Sequence, residues 1–243
     1  MTRHGQSLVG RMILIALTVF VVGGLAIQAR ATYGAQVTAD EPQYLLTAIS
    51  LGEDFDLNIA DEIDDGRFRD FHEVNLNPQT VALDDKGLKI SPHDPLLPLI
   101  LALPMRLGGW ELAKASLALI AGVTAAATMW LAVRRFGVGV STATWVVIAM
   151  FCAPPLTSYG SQVYPAMPAA LCVVLGVAGV TGARSTTWSW VAIAMVVCLP
   201  WLGIKYVPLA VVVTAVWAWR NRHSSRVTTA LQVLFLLLAG VAY

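Results

Sequence analysis

The chain has 243 residues, 57% hydrophobic and 13% charged, with a mean hydropathy of +0.67 and a net charge of +1. A soluble domain carries roughly a quarter charged residues, so this composition excludes an ordinary water-soluble domain and points to an integral membrane protein of the α-helical class. The near-zero net charge identifies no partner and gives no basis for a nucleic-acid-binding surface.

The first apolar run, Met12–Ala29, follows Arg3 and Arg11. It is long, lacks a clear small-x-small cleavage site and is followed by further apolar runs, so it reads as a span rather than a signal peptide. Residues 30–94 then form a polar segment, and fourteen of the fifteen acidic residues fall between Asp40 and Asp94, Glu111 being the exception. Tyr44, Leu51, Phe55, Leu57, Phe68, Phe71 and Leu76 give this segment enough apolar content to pack, so it reads as a structured loop rather than a disordered linker.

The stretch PLLPLILALPMRL (95–107) is short and holds Pro95, Pro98 and Pro104. As a span it would invert every later loop, so it reads as a helix or broken helix lying along the outer surface. Six apolar runs follow: Leu112–Val133, Val140–Ala153, Ala166–Ala183, Trp188–Gly203, Tyr206–Trp219 and Val227–Tyr243. Several are shorter than the ~17–25 residues of a full crossing. Pro154-Pro155 and the stretch Gly203–Tyr206 are places where polar residues enter the membrane boundary.

The expectation is an all-α polytopic bundle of about seven spans. It forms a single membrane domain over 1–243, with one structured extracytoplasmic loop over 30–110. Arg134, Arg135, Arg184, Arg220, Arg222 and Arg226 then share a side with Arg3 and Arg11, which puts the N-terminus in the cytoplasm of an inner, or plasma, membrane. Trp130, Trp188, Trp190, Trp217 and Trp219 fall at inner ends of spans, and Trp110 and Trp201 at outer ends. Cys152, Cys172 and Cys198 lie within apolar runs, give no disulfide framework or metal spacing, and read as small core residues. The chain stops inside an apolar run without a polar flank, so it is expected to be the N-terminal part of a longer protein, or a shortened relative of one.

Chemistry-bearing residues gather in and around the polar loop. Asp40-Glu41-Pro42 has two compatible readings. It can start a helix, with Asp as N-cap, Pro in the first turn and acidic residues at the positive end of the dipole. It also presents carboxylates at a membrane surface. Lys205 is the only basic residue between Arg184 and Arg220. It reads either as a snorkelling lysine at a span end or as a phosphate ligand. His93-Asp94 and His72-Glu73 are potential metal ligands without a recognisable spacing, and a divalent metal stays open. Tyr159, Gln162 and Tyr164 sit in an outer loop, as interfacial aromatics or as lining of a sugar site. The acidic stretch GEDFDLNIADEIDDG (52–66) lacks the glycine of an EF-hand and reads as a solvated face.

The stretch TADEPQYLLTAISLGEDFDLNIADE (38–62) resembles the first extracytoplasmic loop of the GT-C membrane glycosyltransferases, among them protein O-mannosyltransferases and lipid A aminoarabinose transferases. That family places an acidic Asp, often Asp-Glu, soon after the first span, with an aromatic residue close behind. Here these are Asp40, Glu41 and Tyr44. HDPLLPLILALPMRLGG (93–109) is similar to the surface helix leading into the second span. YGSQVYPAMPAAL (159–171) and LPWLGIKYVPLA (199–210) are similar to later outer loops. The resemblance implies an inverting transfer of a sugar from a polyprenyl-phosphate donor to a glycan, lipid or protein acceptor on the outer face. It implies Asp40 as catalytic base and Glu41 as its tuning neighbour. Lys205, Tyr44, His93, Asp94, Tyr159, Gln162 and Tyr164 would line the substrate site.

The rival class is a non-enzymatic polytopic protein, either a transporter or an assembly subunit. A transport path needs charge or broken helices deep within several spans. Here the charge is concentrated in one loop, which favours surface chemistry. A truncated, inactive remnant is the third reading.

Overall fold

The computed structural model describes residues 3–82, 87–182, 185–222 and 226–242. It is about 73% helical with almost no sheet, so the all-α expectation holds. Helix α1 (Arg3–Leu25) opens the chain. One face, with Leu8, Ile15 and Val19, is buried, while Ile13, Leu14, Leu17, Val21 and Leu25 form an apolar face that none of the described residues covers. Apolar surface of this extent marks contact with lipid or another apolar body.

The polar loop is folded. Helix α2 (Glu41–Glu53) begins with proline in its first turn and buries eleven residues. Helix α3 (Ala60–Asp64), a 3₁₀ turn (Arg67–Asp70) and a two-stranded hairpin, β1 (Val81–Ala82) with β2 (Lys89–Ile90), complete it. Cross-links are mostly backbone: Gln36 N–H donates to Phe71 O, Glu73 N–H to Gly34 O and Ile59 N–H to Lys89 O. Leu45, Leu46, Ile59, Phe68 and Phe71 share one core with Leu97 and Leu101 of the next helix.

Helix α4 (Leu96–Phe136) is one ladder with a break at Gly108 and Gly109. Gly109 has φ 64 and ψ −161, a backbone that a side chain would strain. The break separates a proline-bearing arm, the stretch read as a surface helix, from a long stem. The arm lies on α2 so closely that a Cβ on Gly52 would stand 2.8 Å from the Ala102 carbonyl oxygen. The stem packs on α1, where a Cβ on Gly122 would stand 2.5 Å from the Ala16 carbonyl oxygen. Close backbone approach through small residues is the usual way helices associate without a water-driven hydrophobic effect.

Helices α5 (Val140–Phe151), α6 (Leu156–Tyr159), α7 (Ala166–Thr181), α8 (Thr186–Leu202), α9 (Val207–Asn221) and α10 (Arg226–Ala242) follow. Ser189, Trp217 and Gln232 tie α8, α9 and α10 together: Trp217 Nε1 donates to Ser189 Oγ at 2.7 Å, and Gln232 Nε2 donates to it at 2.9 Å. Two helices, α1 and α4, are long and apolar enough to cross a membrane; α5, α7, α8 and most of α10 are apolar but shorter.

The helices run back and forth, so their ends collect different chemistry. At one end Arg11 donates to Thr144 Oγ1, Arg220 to the Gly182 carbonyl, and Arg135 lies over both Trp130 and Trp188. Arg184 lies outside the described residues. At the other end the N-termini of the α4 stem, α7 and α9 meet the folded loop: Lys114 Nζ donates to Gln36 O, and Val163 N–H to Glu41.

Candidate functional site

The site forms where the start of α2 meets the approaches to α4, α7 and α9. Ala39, immediately before Asp40, has φ 54, a left-handed conformation that costs an alanine about 1–2 kcal/mol. Such strain persists only where the surroundings enforce it. Here the enforcement is Glu41. The residue is 2% exposed. Oε2 accepts the Thr38 N–H at 3.0 Å, and Oε1 accepts the Val163 N–H at 2.7 Å. The first bond reaches back three residues to the amide that opens the turn, ahead of Asp40 at the N-cap position. The second spans 122 residues and clamps α2 to the loop before α7. Lys114 is the basic neighbour whose charge Glu41 faces.

Asp40 does something different. It stands at the N-cap position of α2, yet its side chain makes no capping hydrogen bond. The carboxylate is half-exposed; Oδ1 accepts Gln79 Nε2 at 3.1 Å and lies 3.9 Å from His93 Nε2. Of the two adjacent carboxylates, one is consumed by the fold and the other stays half-exposed.

Around Asp40 the structure gathers residues distant in sequence. Tyr44 is buried, with its ring 4.7 Å from that of His93 and 6.4 Å from that of Tyr164. Burial, then Asp40 and Asp94, hold the Tyr44 hydroxyl well above its ordinary value, so it remains a proton donor. Burial pulls His93 below the ordinary imidazole value of 6.5, against Asp40 and Asp94 and with Lys205. The ring is therefore neutral near pH 7, and its Nε2 is buried without a hydrogen-bond partner. Tyr164 is raised by burial while the Asp40 backbone amide favours its ionised form.

Lys205, in the 3₁₀ turn Ile204–Tyr206, is exposed with Nζ 5.3 Å from the Tyr206 ring centre, and its charge reaches His93. Tyr159 is 40% exposed and acts on both Tyr164 and Tyr206. Gln162 is exposed beside them, its N–H donating to Ser158 O. Tyr206 also borders an apolar groove of about 360 Å³, lined by Ala166, Ala169, Val173 and Leu209 among others.

His72 and Glu73 are elsewhere and already used. His72 Nδ1 faces the Val37 carbonyl at 3.1 Å, and Glu73 holds Arg30 in a two-pronged ion pair at 2.6 and 3.1 Å. Among the described residues, three potential metal ligands converge only at Asp54, Asp61 and Glu62, not at His93 and Asp94.

Sequence reasoning passed over Lys114, Gln79 and Tyr206. Lys114 carried a signal, a lone cation inside the apolar run Leu112–Val133. Gln79 carried none.

No family model, curated protein or solved structure matches the chain.

Proposed function

We propose that the protein is a membrane glycosyltransferase of the GT-C type, moving a sugar from a polyprenyl-phosphate donor to an acceptor hydroxyl at the outer membrane face. The observation that carries the reading is the division of labour at residues 40 and 41. A strained backbone and a buried clamp present one carboxylate that the fold itself does not use as a cap. A poor nucleophile such as a hydroxyl gains from a positioned base. In one displacement the acceptor proton passes to Asp40 and the acceptor oxygen bonds to the anomeric carbon. The bond from that carbon to the phosphate oxygen breaks, its electron pair leaves on the polyprenyl phosphate, and the configuration inverts. The leaving group is already a stable anion, so it needs positive charge rather than an acid, and Lys205 supplies it. The apolar groove bordered by Tyr206 suits the first units of the lipid chain.

In this reading the short apolar helices complete about seven spans, with the arginine-rich end cytoplasmic and the acidic loop outside. The uncovered apolar face of α1 supports that placement in a bilayer. Sugar transfer from a radiolabelled polyprenyl-phosphate sugar, assayed in membranes expressing the chain, tests the assignment. Asp40→Asn should lower turnover about 10²–10⁴-fold while the protein inserts and folds as before. Full transfer by a well-folded Asp40→Asn protein would sink the assignment.

A further inference from the structure

The second concentration of unsatisfied charge lies away from this site, at the far end of α2. Asp54 caps the C-terminus of α2, and Asp61 and Glu62 stand in the first turn of α3. One carboxylate oxygen from each residue lies within 4.8 Å of one from each of the other two. Asp54 and Asp61 are exposed, whereas Glu62 is 3% exposed. Both Glu62 oxygens are buried, and neither has a hydrogen-bond partner. A buried carboxylate without partners is costly, and two further carboxylates beside it raise that cost. Arg67 senses the Glu62 charge without bonding to it. Arg67 is committed to Glu53 through two hydrogen bonds, at 2.7 and 2.9 Å.

We infer that Asp54, Asp61 and Glu62 form a Ca²⁺ site that pins the end of α2 to α3. The donors are all oxygen, which selects a hard cation over zinc or copper. Calcium–oxygen distances of about 2.3–2.6 Å let one ion bridge oxygens spread as these are, while Mg²⁺ demands a tighter octahedron. Calcium also tolerates irregular geometry with water in the remaining positions. Water has access, because an open cavity of about 500 Å³ runs past Asp61, bounded by Asn58, Asp64 and Lys89. The loop between the ligands is held from within: Ser50 Oγ donates to Asp56 Oδ1 at 2.8 Å, and Asn58 Oδ1 accepts the Lys89 N–H at 3.0 Å. The EF-hand spacing is absent, as the sequence indicates. These ligands come together through the α2–α3 turn rather than through a twelve-residue loop.

Burial, aided by Asp61 and Asp54, pushes the Glu62 carboxyl up to about 8. A proton is therefore the competitor for the ion.

The test is calcium binding by the purified full chain in detergent, after stripping with a chelator at pH 8. Titration with CaCl₂ should give one saturable site per chain and a higher midpoint of thermal unfolding. Glu62→Gln should weaken binding at least tenfold, and so should Asp54→Asn, which changes only an exposed side chain. Asp70→Asn, on the neighbouring 3₁₀ turn, should bind as the parent does. If Glu62→Gln does not fold, Asp54→Asn and Asp61→Asn carry the test alone. Absence of saturable calcium binding would overturn the inference. Binding of equal strength in the Asp54→Asn and Asp61→Asn variants would overturn it too, as would saturation by MgCl₂ but not by CaCl₂. Sugar transfer is not part of the readout, so the site stands or falls apart from the proposed activity.

Discussion

Asp40 and Glu41 are adjacent, chemically alike and asked to do opposite things, so removing their charges one at a time separates fold from function. Glu41→Gln keeps size and one acceptor oxygen. It removes the negative charge that receives the Thr38 and Val163 amides, and it turns an NH₂ group toward one of them. Hydrogen bonds to a charged group are worth about 1.5–3 kcal/mol each, and a buried amide left facing another donor costs about 1–3 kcal/mol. One bond weakened and one inverted gives a loss of about 2–4 kcal/mol. For a chain of this length that lowers the unfolding midpoint by roughly 4–16 °C. Asp40→Asn keeps an oxygen for the exposed Gln79 and gives up no cap, so its effect on stability should stay within about 0.5 kcal/mol. The assay is the fraction of monodisperse protein left after heating detergent-solubilised samples, beside sugar transfer at a temperature where every variant is folded. Glu41→Gln should unfold early, and Asp40→Asn should be stable but inactive. Equal destabilisation by the two substitutions would refute the division of roles. So would an unchanged midpoint for Glu41→Gln.

The helices were legible because apolar runs report them directly. Ala166–Ala183 became α7 (Ala166–Thr181), and Trp188–Gly203 became α8 (Thr186–Leu202). Gly108-Gly109 broke α4 where the surface stretch was expected to end. Two things were not legible. Whether a helix of 16 or 17 residues, the lengths of α7 and α8, crosses a bilayer depends on local bilayer thickness and on flanking anchors, which the sequence does not record. The use of each carboxylate was hidden as well. The bond from Glu41 to Val163 joins two stretches whose separation no local pattern encodes. The convergence of Asp54 with Glu62 depends on how the α2–α3 turn closes. An acidic run in a loop looks the same whether its members face water or one another.

Three further outcomes follow. Lys205→Met should weaken binding of the polyprenyl-phosphate sugar in detergent about 10–100-fold, as the loss of one charged hydrogen bond to phosphate, with the unfolding midpoint unchanged; equal donor affinity would leave Lys205 as a snorkelling anchor. In a background lacking Cys152, Cys172 and Cys198, a membrane-impermeant thiol reagent applied to intact cells should label Asp64→Cys and spare Phe136→Cys; the reverse pattern would invert the topology. The last concerns pH. Glu62 titrates at about 8 in the folded chain against a carboxyl value of 4.5 when unfolded, so between these values the folded state holds the extra proton. Its contribution is complete below pH 4.5 and is lost as pH rises through about 8. His93, lowered by burial, acts in the opposite sense, but below its ordinary value of 6.5, so a scan from pH 7 to 8.5 lies outside its range. The charged groups facing Glu62 are Asp54, Asp61 and Arg67, and Arg67, raised by its ion pair with Glu53, keeps its charge throughout that window. In chelator the unfolding midpoint should fall across this window, and Glu62→Gln should flatten the fall. Saturating calcium should flatten it in the parent protein, because the ion stabilises the form that the proton leaves. A flat profile for the parent protein in chelator would refute the burial argument for Glu62.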